Sequence, residues 1–231
     1  MLQGQGRTPY FQLSQAETIL LAIVGKDLFP DSPTPVPFCK RTWKEQCKPT
    51  CSGLYVLESL GVDIDAAMKC YANPDELFAA LREGGIVFLN TSYKFLGKEK
   101  KIRKKEHLEI LRRDYSVNEP FLRRAKYVVL CGEAEKIRWL PEAFAKGLPI
   151  VHPDKRNQRF ESWREHWAPG ALARRFQLCL HDIYIYSCNG SQSAAHRCSM
   201  RPEICDPNAC ALRSGAGTAG ADLPGGAGEP S

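Results

Sequence analysis

Four short runs of apolar, largely β-branched residues set the strongest limit on what this chain can become. They are Ile19-Leu-Leu-Ala-Ile-Val24, Ile86-Val-Phe-Leu89, Tyr127-Val-Val-Leu130 and Pro149-Ile-Val151. None alternates with polar residues. A strand with one face in water must alternate, because successive side chains point to opposite faces, whereas an unbroken apolar run suits a strand buried on both faces of a parallel sheet. Parallel neighbours need long crossover connections, and the intervals here contain helical patterns. Pro74–Glu83 opens with a proline and two acids and stops at Gly84-Gly85, the signals of a helix start and stop. Glu106–Arg113 and Glu133–Lys146 also read as helices. The expectation is an α/β domain: three layers, α/β/α, around a central four-stranded, mainly parallel sheet.

The residues just past each run bear on function. The first run leads into Gly25-Lys26-Asp27, the second ends at Asn90-Thr91, the third at Gly132 and the fourth at His152-Pro153. In open parallel sheets a ligand sits in the crevice outside the carboxyl ends of the strands. Asp27, Asn90 and His152 each fall just past such an end, so one crevice can hold all three. Taken singly, an Asp, Asn or His at a strand end is usually a cap or turn former. Three groups of different chemistry, each placed by its own strand, raise the functional reading to parity with that one.

Composition and charge narrow the partners. The apolar share is 43 % and the charged share 25 %, the balance of a globular protein. The longest apolar run, Ile19–Val24, is far too short to span a bilayer. Arg7 is the only basic residue ahead of it, so neither membrane insertion nor a cleavable signal is expected, and the expected compartment is intracellular, cytoplasm or nucleus. Of 32 basic and 26 acidic side chains, three and five lie beyond residue 180, leaving residues 1–180 with a net charge of +8. Residues 98–113 alone hold eight basic and three acidic side chains, among them Lys100, Lys101, Lys104 and Lys105. Such a run is often a solvated helix face, but in a nucleic-acid-binding protein it contacts backbone phosphates.

The ten cysteines do not form the paired spacings of a zinc site. Cys47-x-x-x-Cys51 has no second pair nearby, and the tail set His196, Cys198, Cys205 and Cys210 matches no finger spacing. Free thiols and no metal are expected. Ser214–Ser231 contains a single large aliphatic residue, Leu223, too little to offset chain entropy, so disorder is expected there. Ile183–Tyr186 is a candidate for one more short strand. The expected organisation is a short segment 1–18, one domain over 19–180 and a Cys/Ser-rich then Gly/Ala-rich tail over 181–231.

Set in order, these fragments resemble the uracil-DNA glycosylase superfamily from about Ile19 to Leu178. Gly25-Lys26-Asp27-Leu28-Phe29-Pro30 is similar to the family's first motif, usually Gly-Gln-Asp-Pro-Tyr and then His or Pro. Phe38 falls where the family has an aromatic under the base, Phe88-Leu89-Asn90-Thr91 matches a Leu-Leu-Asn-Thr segment, and Val129–Gly132 with Ala134 resembles the strand and glycine before the closing motif. His152-Pro153 matches that motif's His-Pro opening.

The resemblance implies hydrolysis of the N-glycosidic bond of uracil, or a related deaminated base, in DNA, single strands included, by a monomer without metal or cofactor. It implies Asp27 and His152 as catalytic residues. Asp27 would stabilise positive charge developing on the sugar, and a neutral His152 would donate to the departing base's oxyanion. Gly25, Lys26, Phe29, Phe38 and Asn90 would bind the base: Phe38 by stacking, Phe29 by pressing on C5, and Asn90 by reading O4 and N3–H, a pair that cytosine reverses. Lys155 and Arg156 join the four lysines as expected DNA contacts. The sequence also departs from the family. Lys26 and Leu28 replace glutamine and proline, Asp154 stands where a small hydroxyl residue meets phosphate, and Arg156 takes the place of a leucine wedge. These departures keep open a non-catalytic module binding nucleic acid or protein, and an enzyme on this scaffold acting on another base or a free nucleoside.

Overall fold

A computed structural model describes residues 18–26, 34, 36–91, 109, 113, 117–132, 134, 147–178 and 180. The order of elements is β1 (Ile19–Gly25), α1 (Trp43–Gln46), α2 (Ser52–Ser59), α3 (Ile64–Cys70), α4 (Pro74–Glu83), β2 (Ile86–Asn90), β3 (Ala125–Cys131), β4 (Gly147–Ile150), α5 (Glu161–Trp167) and α6 (Ala171–Phe176). The strands form one sheet in the order β2-β1-β3-β4. All three pairings are parallel, so the expectation of an α/β fold with four strands holds.

The absence of alternation has the cause inferred for it. Leu21, Ile23, Ile86, Phe88, Val129, Cys131 and Ile150 face one way, into a core shared with Tyr55 and Leu57 of α2, Leu77 and Phe78 of α4, Trp163 and Trp167 of α5 and Leu172 of α6. The intervening residues Ala22, Val24, Val87, Leu89, Val128 and Leu130 face the other way, against Phe121, Leu122 and Ala134. Phe121 and Leu122 belong to the helical residues 117–124, so helical structure packs on both faces. Each fully buried Leu, Ile or Phe contributes roughly 1.5–3 kcal/mol, which makes this double-sided burial the main stabilising feature.

Helix α4 spans the interval expected from the sequence. Asn73 caps it, its Oδ1 accepting from the Glu76 N–H at 3.1 Å, while the Glu76 carboxylate reaches back to the Ala72 N–H at 2.9 Å. Within Glu106–Arg113, Glu109 and Arg113 are described and helical. The expected helix Glu133–Lys146 (apart from Ala134), the candidate strand Ile183–Tyr186, residues 1–17 and the tail lie outside the described residues. No described helix is long and apolar enough to cross a membrane. Cys39, Cys47, Cys51 and Cys131 are free thiols, but Cys70 is disulfide-bonded, which corrects the expectation of free thiols throughout. Bridging depends on spatial approach of the two Cα atoms, and sequence spacing does not report that.

Candidate functional site at the carboxyl edge of the sheet

The sheet order sets Asn90, Gly25, Gly132 and His152 along one edge, each at or just past the end of its own strand. Gly25 pairs with Asn90 in the β1–β2 register. The two ends are tied further by the Thr91 N–H donating to the Gly25 carbonyl at 2.9 Å and the Thr91 hydroxyl donating to the Lys26 carbonyl. The segment that leads into Asp27 is therefore anchored to β2.

Three of the expected base-binding residues meet here. A Cβ added to Gly25 would lie 2.9 Å from Asn90 Oδ1 and 3.0 Å from Phe38 Cζ. Glycine is thus what permits the Asn90 carboxamide and the tip of the Phe38 ring to close over the end of β1. Asn90 is 2 % exposed and Phe38 5 %. The carbonyl of Asn90 accepts from Asn118 Nδ2 at 2.6 Å, which fixes the backbone from which its amide projects.

Phe38 is held in an unusual conformation. Its φ of 65° is left-handed, which costs a bulky residue roughly 1–2 kcal/mol and persists only where neighbours over-determine it. Gln46, fully buried, bridges the turn: its Nε2 donates to the Phe38 carbonyl at 3.3 Å and its Oε1 accepts from the Lys40 N–H at 2.8 Å. The same carbonyl lies over Gly53, where a Cβ would stand 1.8 Å from it. The Phe38 ring also packs edge-on against Phe88, centroids 6.5 Å apart. It is at once a core residue and a wall of the edge.

At the other end of the edge, Gly132 (φ +56°) lies against His152, and a Cβ there would be 2.9 Å from the His152 Cβ. The chain before His152 is pinned by Trp167 Nε1 donating to the Val151 carbonyl at 2.8 Å. The His152 carbonyl itself accepts from the Asp154 N–H at 2.8 Å and from Asn157 Nδ2 at 3.0 Å. Burial pushes the His152 imidazole below its ordinary pKa; Asp154 opposes this, while Arg156 and Lys26 reinforce it. The ring is therefore held neutral at neutral pH, able to donate one N–H without carrying a full charge.

Lys155 and Arg156 are exposed on the single turn Lys155–Asn157. Asp154 caps this turn, its Oδ1 accepting from the Arg156 N–H at 2.8 Å, and its carboxylate binds the Arg156 guanidinium as well. Asp27, Phe29, Lys100, Lys101, Lys104 and Lys105 lie outside the described residues. Among the described residues no group of three or more His, Cys, Asp or Glu is arranged to hold a metal ion.

Gln46, Gly53, Asn118 and Trp167 could not be singled out from the sequence, and each supports the edge at a backbone atom. Only Trp167 carried a signal, the Trp163/Trp167 spacing of a helix face. No protein-family model and no curated protein matches the chain.

Proposed function

We propose that this protein is a monofunctional DNA glycosylase with a uracil-DNA glycosylase-like fold, hydrolysing the N-glycosidic bond of uracil or a related deaminated base in DNA. The observation that carries the reading is the junction of the Asn90 carboxamide, the Phe38 ring and Gly25 at the end of β1, with His152 farther along the same carboxyl edge. An amide beside an aromatic edge recognises a planar, hydrogen-bonding ring, and a base is such a ring. The parallel order β2-β1-β3-β4 supports the same reading by aligning Asn90, Gly25 and His152.

In this reading the base leaves with the bonding electrons of the glycosidic bond, water gives its hydroxyl to the sugar carbon, and the water's remaining proton ends on the departed base. Negative charge builds on the base oxygen, where the neutral His152 donates. Positive charge builds on the sugar, where Asp27 stabilises it and orients the water. Asn90 discriminates: its amide donates to O4 and accepts from N3–H, and cytosine offers the reverse. Neither metal nor cofactor enters the scheme. The partner is uracil-containing DNA, single strands included, and the working unit is a monomer.

The test is release of uracil from labelled oligonucleotides, followed by cleavage at the abasic site, with Asp27→Asn as background. Wild type should exceed that background by orders of magnitude, because Asp27 acts chiefly on the transition state. Wild-type excision of uracil, hypoxanthine and other deaminated bases no faster than the variant would end the catalytic reading. Retained DNA affinity in that case would favour the non-catalytic module.

A further inference from the structure

The rim beside His152 contains one ion pair of unusual completeness. The Arg156 Nε lies 3.0 and 3.1 Å from the two Asp154 oxygens, and Nη2 lies 2.6 Å from Oδ2. With the Arg156 backbone N–H on Oδ1 as well, Asp154 accepts from three donors of one residue. The arginine side chain is 89 % exposed and the aspartate 24 %, so the cation stands in solvent while the acid is tucked against the turn. A bidentate carboxylate on a guanidinium reproduces the geometry by which arginine binds phosphate. Since the cation and the carboxylate cancel, the pair as it stands releases no counterion to an approaching phosphate.

We propose that Asp154 is an internal stand-in for a nucleic-acid phosphate: it occupies the Arg156 fork and withholds that cation from the DNA backbone, setting a low affinity at the rim of the site. The proposal rests on the reading that this rim faces nucleic acid. Its ligand is the phosphodiester group of a DNA strand, of any sequence. A strand gains Arg156 as a contact only when the carboxylate gives way, so Asp154 restrains general backbone binding without touching the base.

The experiment measures binding of full-length protein to an oligodeoxythymidylate, which contains no uracil, by fluorescence anisotropy over a range of salt concentrations. Asp154→Asn retains a good capping side chain for the turn and removes the charge. It should tighten binding roughly fivefold at 0.1 M salt and steepen the fall of log K with log salt by about 0.7, one phosphate contact on a single strand. The double variant Asp154→Asn/Arg156→Ala should lose that gain. Unchanged or weaker binding by Asp154→Asn overturns the proposal. A gain that survives in the double variant also overturns it, because Asp154 would then act as a bare repulsive charge. Uracil release measured in parallel separates the two readings. Excision without the Arg156-dependent gain removes only the stand-in, the gain without excision removes only the glycosylase, and folded protein that shows neither the gain nor excision removes both.

Discussion

Gly25→Ala is the sharpest probe of the site, because it adds one methyl group where Asn90 and Phe38 meet. Gly25 is not among the glycines with positive φ, so its backbone accepts alanine and the cost is steric. The new Cβ would stand 2.9 Å from Asn90 Oδ1 and 3.0 and 3.4 Å from two Phe38 ring carbons. Carbon atoms settle at roughly 3.5–4.0 Å, so the ring must withdraw by about half an ångström. Phe38 has little freedom to do so, since its carbonyl is fixed by Gln46 and seated over Gly53. Overpacking of this kind costs about 1–3 kcal/mol, and alanine in a strand returns about 0.5–1 kcal/mol relative to glycine. The net loss of about 1–2 kcal/mol should lower the thermal midpoint by roughly 2–8 °C for a domain of this size. Under the proposed function, displacement of Asn90 and Phe38 should also cut single-turnover uracil release by about tenfold or more. A folded Gly25→Ala protein with wild-type excision would refute the placement of the base at this junction. An unchanged midpoint would refute the packing argument itself.

The depressed pKa of His152 predicts an acid limb. The unfolded chain takes up this proton near pH 6.5 and the folded one only at lower pH. The contribution of His152 to stability is therefore complete above about pH 6.5 and is lost as pH falls from there through the folded pKa. Thermal midpoints from pH 7.5 to 5 should fall more steeply for wild type than for His152→Gln, and excision should fall over the same acidic range. Asn73→Ala removes the cap of α4 and should cost about 1 kcal/mol, read as a midpoint lowered by roughly 2–4 °C with excision unaltered. Changing Lys100, Lys101, Lys104 and Lys105 to alanine should weaken binding equally across DNA sequences and flatten the salt dependence by roughly 0.7–0.9 for each lysine that grips a phosphate; an unchanged slope would assign these lysines to solvent.

The strands were legible because both their faces are buried over their central residues, which forces an unbroken apolar run there. Their bounds were less so. β3 begins at Ala125, ahead of Tyr127, and β4 covers Gly147–Ile150, not Pro149–Val151, since hydrogen bonding continues past the point where apolar character is required. Helix α4 was legible from its cap and its stop. Helices α1, α2 and α3 were not, because their short spans leave little room for a period to show. At the site, Asn90 and His152 could be picked out as polar groups closing apolar runs. The tie between Gly25, Asn90 and Phe38 could not, because it depends on how a loop residue with positive φ folds back onto β1. Asn118 and Gln46 were invisible for the same reason: a lone amide gains its role only from the carbonyl that the fold brings to it.

The distribution of buried polar groups is harder to explain by stability than by function. Among the described residues, Gln46, Ser52, Ser59, Asn90, Thr91, Asn118 and His166 are buried. Burying such a group costs roughly 1–3 kcal/mol unless it is hydrogen-bonded, and a typical bond then returns only about 1 kcal/mol net. Apolar residues of similar size would stabilise a core at least as well. Yet Gln46, Asn90, Thr91 and Asn118 all converge on the carboxyl edge. Gln46, Thr91 and Asn118 direct side-chain hydrogen bonds to the backbone of a candidate site residue: Phe38, Lys26 and Asn90 respectively. A sheet edge that needed only to be sealed would not require its backbone to be fixed to such tolerance. Position matters to this degree where a side chain must meet a ligand within a few tenths of an ångström, so the polar groups behind the edge supply the rigidity that the proposed function requires of Phe38, Lys26 and Asn90.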